Sequence, residues 1–214
     1  MSTQAAAPDL ERRTAEEVLA YAVERFHPRL VMACSFQKEE SVLLDMLLRI
    51  EPAARVFTLD THVLFDETRA AWRAFEQRWG VRVEVHDTVD PAGAPWSREH
   101  CCTDAGAKAE GLRSALTGAD AWITGLRREQ SPTRTRSEKV EWDERNGLWK
   151  VNPLADWTER RLWTYIHEHE LPYNQLHDQG YASIGCAPCT LPGEGREGRW
   201  AGSGKTECGL HAEG

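Results

Sequence analysis

No apolar run in the 214-residue chain approaches the roughly 18–20 residues that an α-helix needs to cross a bilayer. That excludes a helical membrane span and leaves no expected membrane partner. The stretch from Met1 to Pro8 lacks the basic and apolar regions of a secretory signal, so the expectation is a cytoplasmic protein. An excess of basic charge is also missing. Lys and Arg number 26 against 34 Asp and Glu, a net charge of −8, which argues against broad nucleic-acid binding. There is no internal repeat, and no low-complexity stretch beyond a Gly-rich C-terminal segment. Hydrophobic residues are not lacking: at 41% they supply the core of one domain of this size.

Against these absences, six cysteines stand out in a chain expected in a reducing compartment. Four come as an adjacent pair, Cys101-Cys102, and a CxxC, Cys186-Ala-Pro-Cys189. Four thiolates brought together suit a metal or iron–sulfur centre. Adjacent side chains point apart, so both sulfurs of Cys101-Cys102 ligate one centre only at a kinked element end. A cubane offers separate irons and accepts neighbouring sulfurs more easily than one tetrahedral zinc does. A 4Fe-4S cluster is therefore the leading reading, structural zinc the second. A redox dithiol at Cys186/Cys189 is disfavoured, because Thr190-Leu191-Pro192-Gly193 breaks the chain where such a motif opens a long helix. Cys34 closes an apolar run and reads as core packing. Cys208 follows Gly202, Ser203 and Gly204, and Lys205 and His211 lie near it in sequence. A thiol there suits a mobile nucleophile that meets a bound substrate and then an external reductant.

Periodicity predicts the elements. Helices are expected over 14–26, 41–50, 66–79, 104–116 and 158–169, and strands over 30–34, 55–60, 81–85 and 121–124. Residues 140–142 and 148–151 flank Asp143 to Gly147 as a hairpin. Strands alternating with helices imply a parallel α/β sheet, whose ligands bind at the carboxyl ends of strands. The polar segments 35–40, 60–62 and 125–134 then share one sheet edge. The organisation expected is a disordered 1–13, an α/β domain over 14–192 and a mobile segment over 193–214. Two stretches carry local positive charge, Arg127 to Lys139 and Arg196 to Lys205.

The motifs together carry a family resemblance. They are Ser35-Phe36, Leu59-Asp60-Thr61, Gly125-Leu126-Arg127-Arg128-Glu129-Gln130-Ser131-Pro132-Thr133-Arg134, Val151-Asn152-Pro153-Leu154, Gly180 to Thr190 around the CxxC, Arg196-Glu197-Gly198-Arg199-Trp200 and Glu207-Cys208-Gly209-Leu210-His211. The chain resembles the assimilatory adenylyl-sulfate (APS) reductases, kin of the phosphoadenylyl-sulfate (PAPS) reductases, from about residue 30 to its end. The resemblance implies an adenine-nucleotide α-hydrolase-like, Rossmann-like fold and a 4Fe-4S cluster on Cys101, Cys102, Cys186 and Cys189. It implies Cys208 as nucleophile, thioredoxin or a similar dithiol as partner, and a role in sulfate assimilation. It implies Arg196 and Arg199 at the sulfate and phosphate, and Arg134 with Arg127 or Arg128 at the nucleotide. Ser35, Phe36, Leu59 and Thr61 would hold adenosine. PAPS-specific members generally lack the cluster cysteines, so the resemblance favours APS.

The chain departs from the family pattern at four places. The family's Arg-Lys after the cysteine pair is absent, and Lys108 stands two places late; a two-residue insertion aligns it with the lysine near cluster and substrate. Gln37-Lys38-Glu39-Glu40-Ser41 lacks the Gly found in many members and has Ser41 where Asp is common. His62 replaces a common Gly. Lys38 is a candidate source of charge lost elsewhere. Use of PAPS, alone or as well, and a zinc-stabilised nucleotide-binding module are the alternatives.

Overall fold

Thr14 fixes the start of the first helix. Its side chain accepts from Glu17 N (3.2 Å) while the Glu17 carboxylate accepts from Thr14 N (2.7 Å), a reciprocal capping box. A computed structural model describes residues 9–88, 106–200 and 210. Along it run α1 (Ala15–Phe26), β1 (Leu30–Ala33), α2 (Lys38–Ile50), β2 (Arg55–Asp60), α3 (Asp66–Trp79), β3 (Glu84–Asp87), α4 (Ala107–Ala115), β4 (Ala121–Ile123), β5 (Val140–Asp143), β6 (Leu148–Val151) and α5 (Glu159–Glu168).

The strands form one sheet in the order β3-β2-β1-β4-β6-β5, parallel except for the β5–β6 hairpin. The expected parallel α/β architecture is thus present, with the hairpin added to its edge. Val18, Leu19, Leu43, Leu47, Phe75, Leu162 and Ile166 bury one face of α1, α2, α3 and α5 in a single apolar cluster with the sheet. Leu112, Ala115 and Leu116, in and just after α4, cover the other face at Val31, Phe57 and Trp122. The chain runs β1, β2, β3 outward and then returns to place β4 on the opposite side of β1. That reversal opens a crevice beyond the carboxyl ends of β1 and β4.

Several boundaries move for identifiable reasons. Helix α2 begins at Lys38 rather than Ser41, because the Glu40 carboxylate accepts from Gln37 N (3.0 Å) and closes the first turn early. Strand β3 starts at Glu84, since Val83 N is taken by Glu76 Oε1 (3.0 Å) and pairing with β2 begins only beyond it. Residues 9–13, expected to be disordered, are docked. Glu11 meets Arg128 Nη2 at 2.5 Å and Lys139 N at 2.8 Å, and Lys139 Nζ donates to Arg13 O (2.6 Å). Residues 193–200, expected to belong to a mobile tail, fold back onto the domain. Gly193 N donates to Gly180 O (3.0 Å), Leu191 N to Gly198 O (2.9 Å), and Trp200 is fully buried. The glycines there serve close approach: a Cβ on Gly198 would collide with the Leu191 carbonyl. The remaining expectations for 1–8 and for most of 201–214 lie outside the described residues.

Asn152 ties the end of β4 to the hairpin. Fully buried, it accepts from Thr124 Oγ1 (2.5 Å) and donates to Glu138 O (2.8 Å) and Glu141 Oε1 (3.0 Å). Asn152→Ala strands three polar partners and is expected to cost about 2–4 kcal/mol, read as a lower urea midpoint at unchanged slope.

Candidate active site

The crevice beyond β1 and β4 is a cavity of about 490 Å³. Ala33 to Glu40 after β1, Leu59 near the end of β2, Lys108 at the start of α4, Thr124 to Arg127 with Gln130 and Arg134 after β4, and Ala182 to Cys186 line it. Arg196, Arg199 and Leu210 also border it. Of the expected substrate contacts, Ser35, Phe36, Leu59, Lys108, Arg127, Arg134, Arg196 and Arg199 all border this one space. Thr61 and Arg128 are not among the described residues that do.

Two strand ends turn sharply into the site. Phe36 and His62 both have φ of 59°, in the left-handed region that non-glycine residues rarely occupy. Phe36 is held there by its ring, which is fully buried, stacked on Trp72 (5.1 Å between centroids) and edge-on to Phe75 (5.8 Å). Its side chain thus anchors the loop while its backbone borders the cavity. His62 is fixed by Asp60 Oδ1, which accepts from His62 N (2.8 Å), and by Asp87 Oδ1 at 3.0 Å from Nε2. The common glycine at this position has a physical reason, and these two aspartates are what replace it.

Arg127 has a different surrounding from the one expected of a nucleotide contact. It is buried, and its guanidinium donates to Glu39 (2.9 and 3.0 Å), Glu129 (3.1 Å), Glu159 (2.5 Å) and Trp157 O (3.3 Å). Arg128 turns away to Glu11 and Ser137 O (2.8 Å). Arg134 Nη1 meets Gln130 Oε1 at 2.5 Å, and Gln130 Nε2 donates to Glu39 Oε1 (3.0 Å) and Gly125 O (3.1 Å). Burial raises the Glu39 carboxyl, but Lys38, Arg127 and the Gln130 amide outweigh it and bring it down to about 2. Its neighbour Glu40 goes the other way. Burial first and the Glu39 charge second push it up to about 8, despite hydrogen bonds from Gln37 N and Ser35 Oγ (3.1 Å). At neutral pH one of the two adjacent carboxyls is ionised and the other protonated.

The opposite end of the cavity is basic. Arg196 and Arg199 sit three apart on one turn, with Arg199 N donating to Arg196 O (3.0 Å), and both guanidinium groups lie over the Trp200 ring, at 5.3 and 4.6 Å. Arg199 Nη1 donates to Ile184 O (2.9 Å) and Ser183 Oγ (3.2 Å). Lys108 borders the same cavity from α4, so the two-place offset in sequence still brings a lysine to it. Glu194 is the carboxylate in the lining nearest in sequence to these groups.

Beside the basic end lies the CxxC. Cys186 and Cys189 are buried, bracket the 3₁₀ turn Ala187–Cys189, and cluster with Trp200, Val63 and Leu210. The turn docks on the loop after β2, where Ala187 N donates to Val63 O (2.8 Å). Thr61, expected at adenosine, is buried with Oγ1 3.3 Å from Cys186 Sγ. Two soft sulfur donors on a tight turn, in an apolar pocket with a hydroxyl beside one sulfur, fit half of a four-thiolate cluster site. Cys101 and Cys102, the other expected ligands, and Cys208 lie outside the described residues. Cys34 is buried, its thiol pushed up by burial and by Glu40, in keeping with a packing role.

Sequence reasoning missed Glu39, Glu40, Gln130, Glu159 and Gly185. The adjacent acidic pair and the motifs around Gln130 and Gly185 carried a signal; Glu159 reaches the site through tertiary packing alone.

A nucleotide-sized crevice over parallel strand ends, basic at the end next to a cysteine pair, is what the family assignment explains. The chain belongs to the phosphoadenosine phosphosulfate reductase domain family, whose model matches residues 29–192. It is 44% identical over 218 residues, 95% of this chain and 92% of the relative, to an adenosine 5'-phosphosulfate reductase of Geobacillus thermodenitrificans. It is also 44% identical over 214 residues, 92% of this chain and 88% of the relative, to a phosphoadenosine 5'-phosphosulfate reductase of Gloeobacter violaceus. The crystal structure of phosphoadenylyl-sulfate reductase from Candida auris in its phosphate complex matches with a TM-score of 0.72 at 28% identity, covering 86% of this chain and 93% of that one. The adenine-nucleotide α-hydrolase-like fold expected from the sequence is the fold observed.

Two predictions come from this geometry. A Cβ on Gly185 would lie 2.7 Å from Cζ, Nε and Nη2 of Arg199, the movable end of a flexible side chain. Gly185→Ala is therefore expected to leave the unfolding midpoint nearly unchanged while displacing Arg199, raising KM for the nucleotide by about tenfold in steady-state assays. Glu40 has its folded-state pKa raised above the unfolded value. Its contribution to stability is present below the ordinary carboxylate range and is lost progressively as the pH climbs to about 8. Urea unfolding between about pH 5 and about pH 9 should show the wild type losing stability relative to Glu40→Gln; parallel curves would exclude the raised pKa.

Proposed function

We propose that the protein is an oxidoreductase that converts adenylyl sulfate to sulfite and AMP, with thioredoxin or a similar dithiol protein as electron donor. The observation that carries this reading is the placement of Arg196 and Arg199 over Trp200, which packs on Cys186 and Cys189, at a nucleotide-sized cavity that Lys108 also borders. Leu210, two residues beyond Cys208 in the sequence, borders the same cavity.

In this reading the Cys208 thiolate attacks the sulfate sulfur, the S–O bond to the phosphate breaks, and AMP leaves. The product on the enzyme is an S-sulfocysteine. A thiolate of the dithiol partner then attacks Cys208 Sγ, and sulfite departs with the electron pair of the broken S–S bond. The partner's second thiol closes its own disulfide and returns Cys208 as thiolate. Two electrons pass from the dithiol to sulfur. An anionic nucleophile approaching an anionic group requires fixed positive charge, which Arg196, Arg199 and Lys108 supply in a partly dehydrated space.

Cys101, Cys102, Cys186 and Cys189 would hold a 4Fe-4S cluster. When bound it supplies a fixed charge and a rigid anchor beside the anion end; the electrons for sulfur come from the dithiol. Thr61, with its hydroxyl at Cys186 Sγ, orients that ligand rather than adenosine. The division of charge supports adenylyl sulfate as substrate. At the far end Lys38 and Arg127 are paired with Glu39, Glu129 and Glu159, so these two cations offer little to an additional phosphate. The Gloeobacter relative's name favours PAPS as the second reading, and kcat/KM measured side by side for both nucleotides separates them. We place the protein in the cytoplasm, consistent with the absence among the described residues of any helix long and apolar enough to cross a membrane.

Cys208→Ser is expected to lower sulfite production by about a thousandfold or more while AMP still binds; full turnover would sink the nucleophile assignment. Anaerobically purified protein should contain iron and acid-labile sulfide, both lost in Cys186→Ser. Zinc without iron would point instead to a zinc-stabilised module.

A further inference from the structure

Lys38 was a candidate source of positive charge for the substrate, yet its charge is already engaged. It is 3% exposed, its Nζ donates to Ala182 O (2.7 Å), and it lies 3.2 Å from Glu159 Oε1. Its neighbour Gln37 is committed in the same direction: Gln37 Oε1 accepts from Ile184 N (2.8 Å), and its Nε2 donates to Ser35 Oγ (3.0 Å). Both residues thus grip residues 182–184, almost 150 positions away in sequence. The other side of that same stretch carries Arg199, bonded to Ile184 O and Ser183 Oγ with its guanidinium flat against Gly185. A backbone segment held by two side chains on one side and supporting an arginine on the other transmits position from the β1 loop to the anion end. The polar chain is continuous from Glu40 through Ser35, Gln37 and Ile184 to Arg199.

We propose that Gln37 and Lys38 are positioning residues that clasp residues 182–184 and, through them, set Arg199 at the anion end of the cavity. The proposal rests on the reading of Arg199 as an anion-binding group. A positioning role has a signature that a direct substrate contact lacks: its effect vanishes when the group it positions is removed.

The test is a double-mutant cycle on the holoenzyme with APS as substrate. Arg199→Ala alone is expected to lower kcat/KM by about a hundredfold, and Lys38→Met or Gln37→Ala by about tenfold, carried mainly by KM. In the Arg199→Ala background the Lys38→Met penalty should shrink to less than about twofold. A tenfold penalty in both backgrounds overturns the proposal, because Lys38 would then act independently of Arg199. No penalty in the wild-type background overturns it as well. If Arg199→Ala itself leaves kcat/KM unchanged, the anion-site reading fails, a result distinct from failure of the clasp alone. Gln37→Ala, read through the same cycle, serves where Lys38→Met lowers the thermal midpoint enough to obscure the kinetics.

Discussion

One buried cation organises the nucleotide end of this molecule. Arg127 lies in the loop after β4, and its guanidinium meets Glu39 from the first turn of α2, Glu129 from its own loop, Glu159 from the first turn of α5, and the Trp157 carbonyl. Removing a guanidinium from water costs several kcal/mol, and only a full set of partners offsets it. The consequence is geometric. Three chain segments that share no sheet register are brought to one point, and the cavity wall between β1 and β4 is built from the side chains that satisfy this charge. Glu159 passes the constraint on to Lys38, and Lys38 to Ala182. The loop after β1, the loop after β4 and the approach to the CxxC are therefore one ionic assembly rather than three independent loops.

Much of this was legible in the sequence, for reasons that differ by element. The parallel sheet was readable because short apolar runs such as Leu30–Ala33 and Ala121–Ile123 alternate with amphipathic segments, and strand-end loops then follow from topology. That Ser35 and Leu59 border the cavity was readable because each sits at such an end, and that Arg196 and Arg199 do was readable from their motif after the CxxC. The neighbour of Thr61 was not readable for a local reason: it stands one residue past β2, where the chain turns toward the cysteine turn. The surroundings of Arg127 were not readable, because a sequence shows a positive charge but not the three carboxylates, from positions 39 to 159, that close on it. The tail was expected to move because glycine content alone does not distinguish freedom from close approach. Gly198 is there because the Leu191 carbonyl leaves no room for a side chain.

The departures from the family pattern become intelligible together. Left-handed backbone is required directly after β1 and again after β2, and non-glycine residues occupy both positions. Each stays there because something beyond the backbone holds it: aromatic stacking for Phe36, two aspartates for His62. With Phe36 taking the turn, residue 37 keeps ordinary extended backbone, and its glutamine side chain is free of that constraint and reaches Ile184 N.

The cavity's two ends obey opposite electrostatic rules, and that opposition is its functional logic. At one end the buried Lys38 and Arg127 have carboxylates facing them, and burial and the Glu39 charge favour the protonated form of Glu40, which suits an uncharged nucleoside. At the other end Arg196 and Arg199 are braced over Trp200, and Arg199 also on the Ile184 carbonyl, so two guanidinium groups are held side by side beside the cysteine turn. A dipolar ligand, aromatic and neutral at one end and anionic at the other, is driven into a single orientation by this gradient. In a partly dehydrated space the gradient is steeper than the same charges would give in water. By engaging Arg127, the carboxylates at the far wall leave the guanidinium pair over Trp200, beside the cysteine turn, as the stronger attraction for an anionic group.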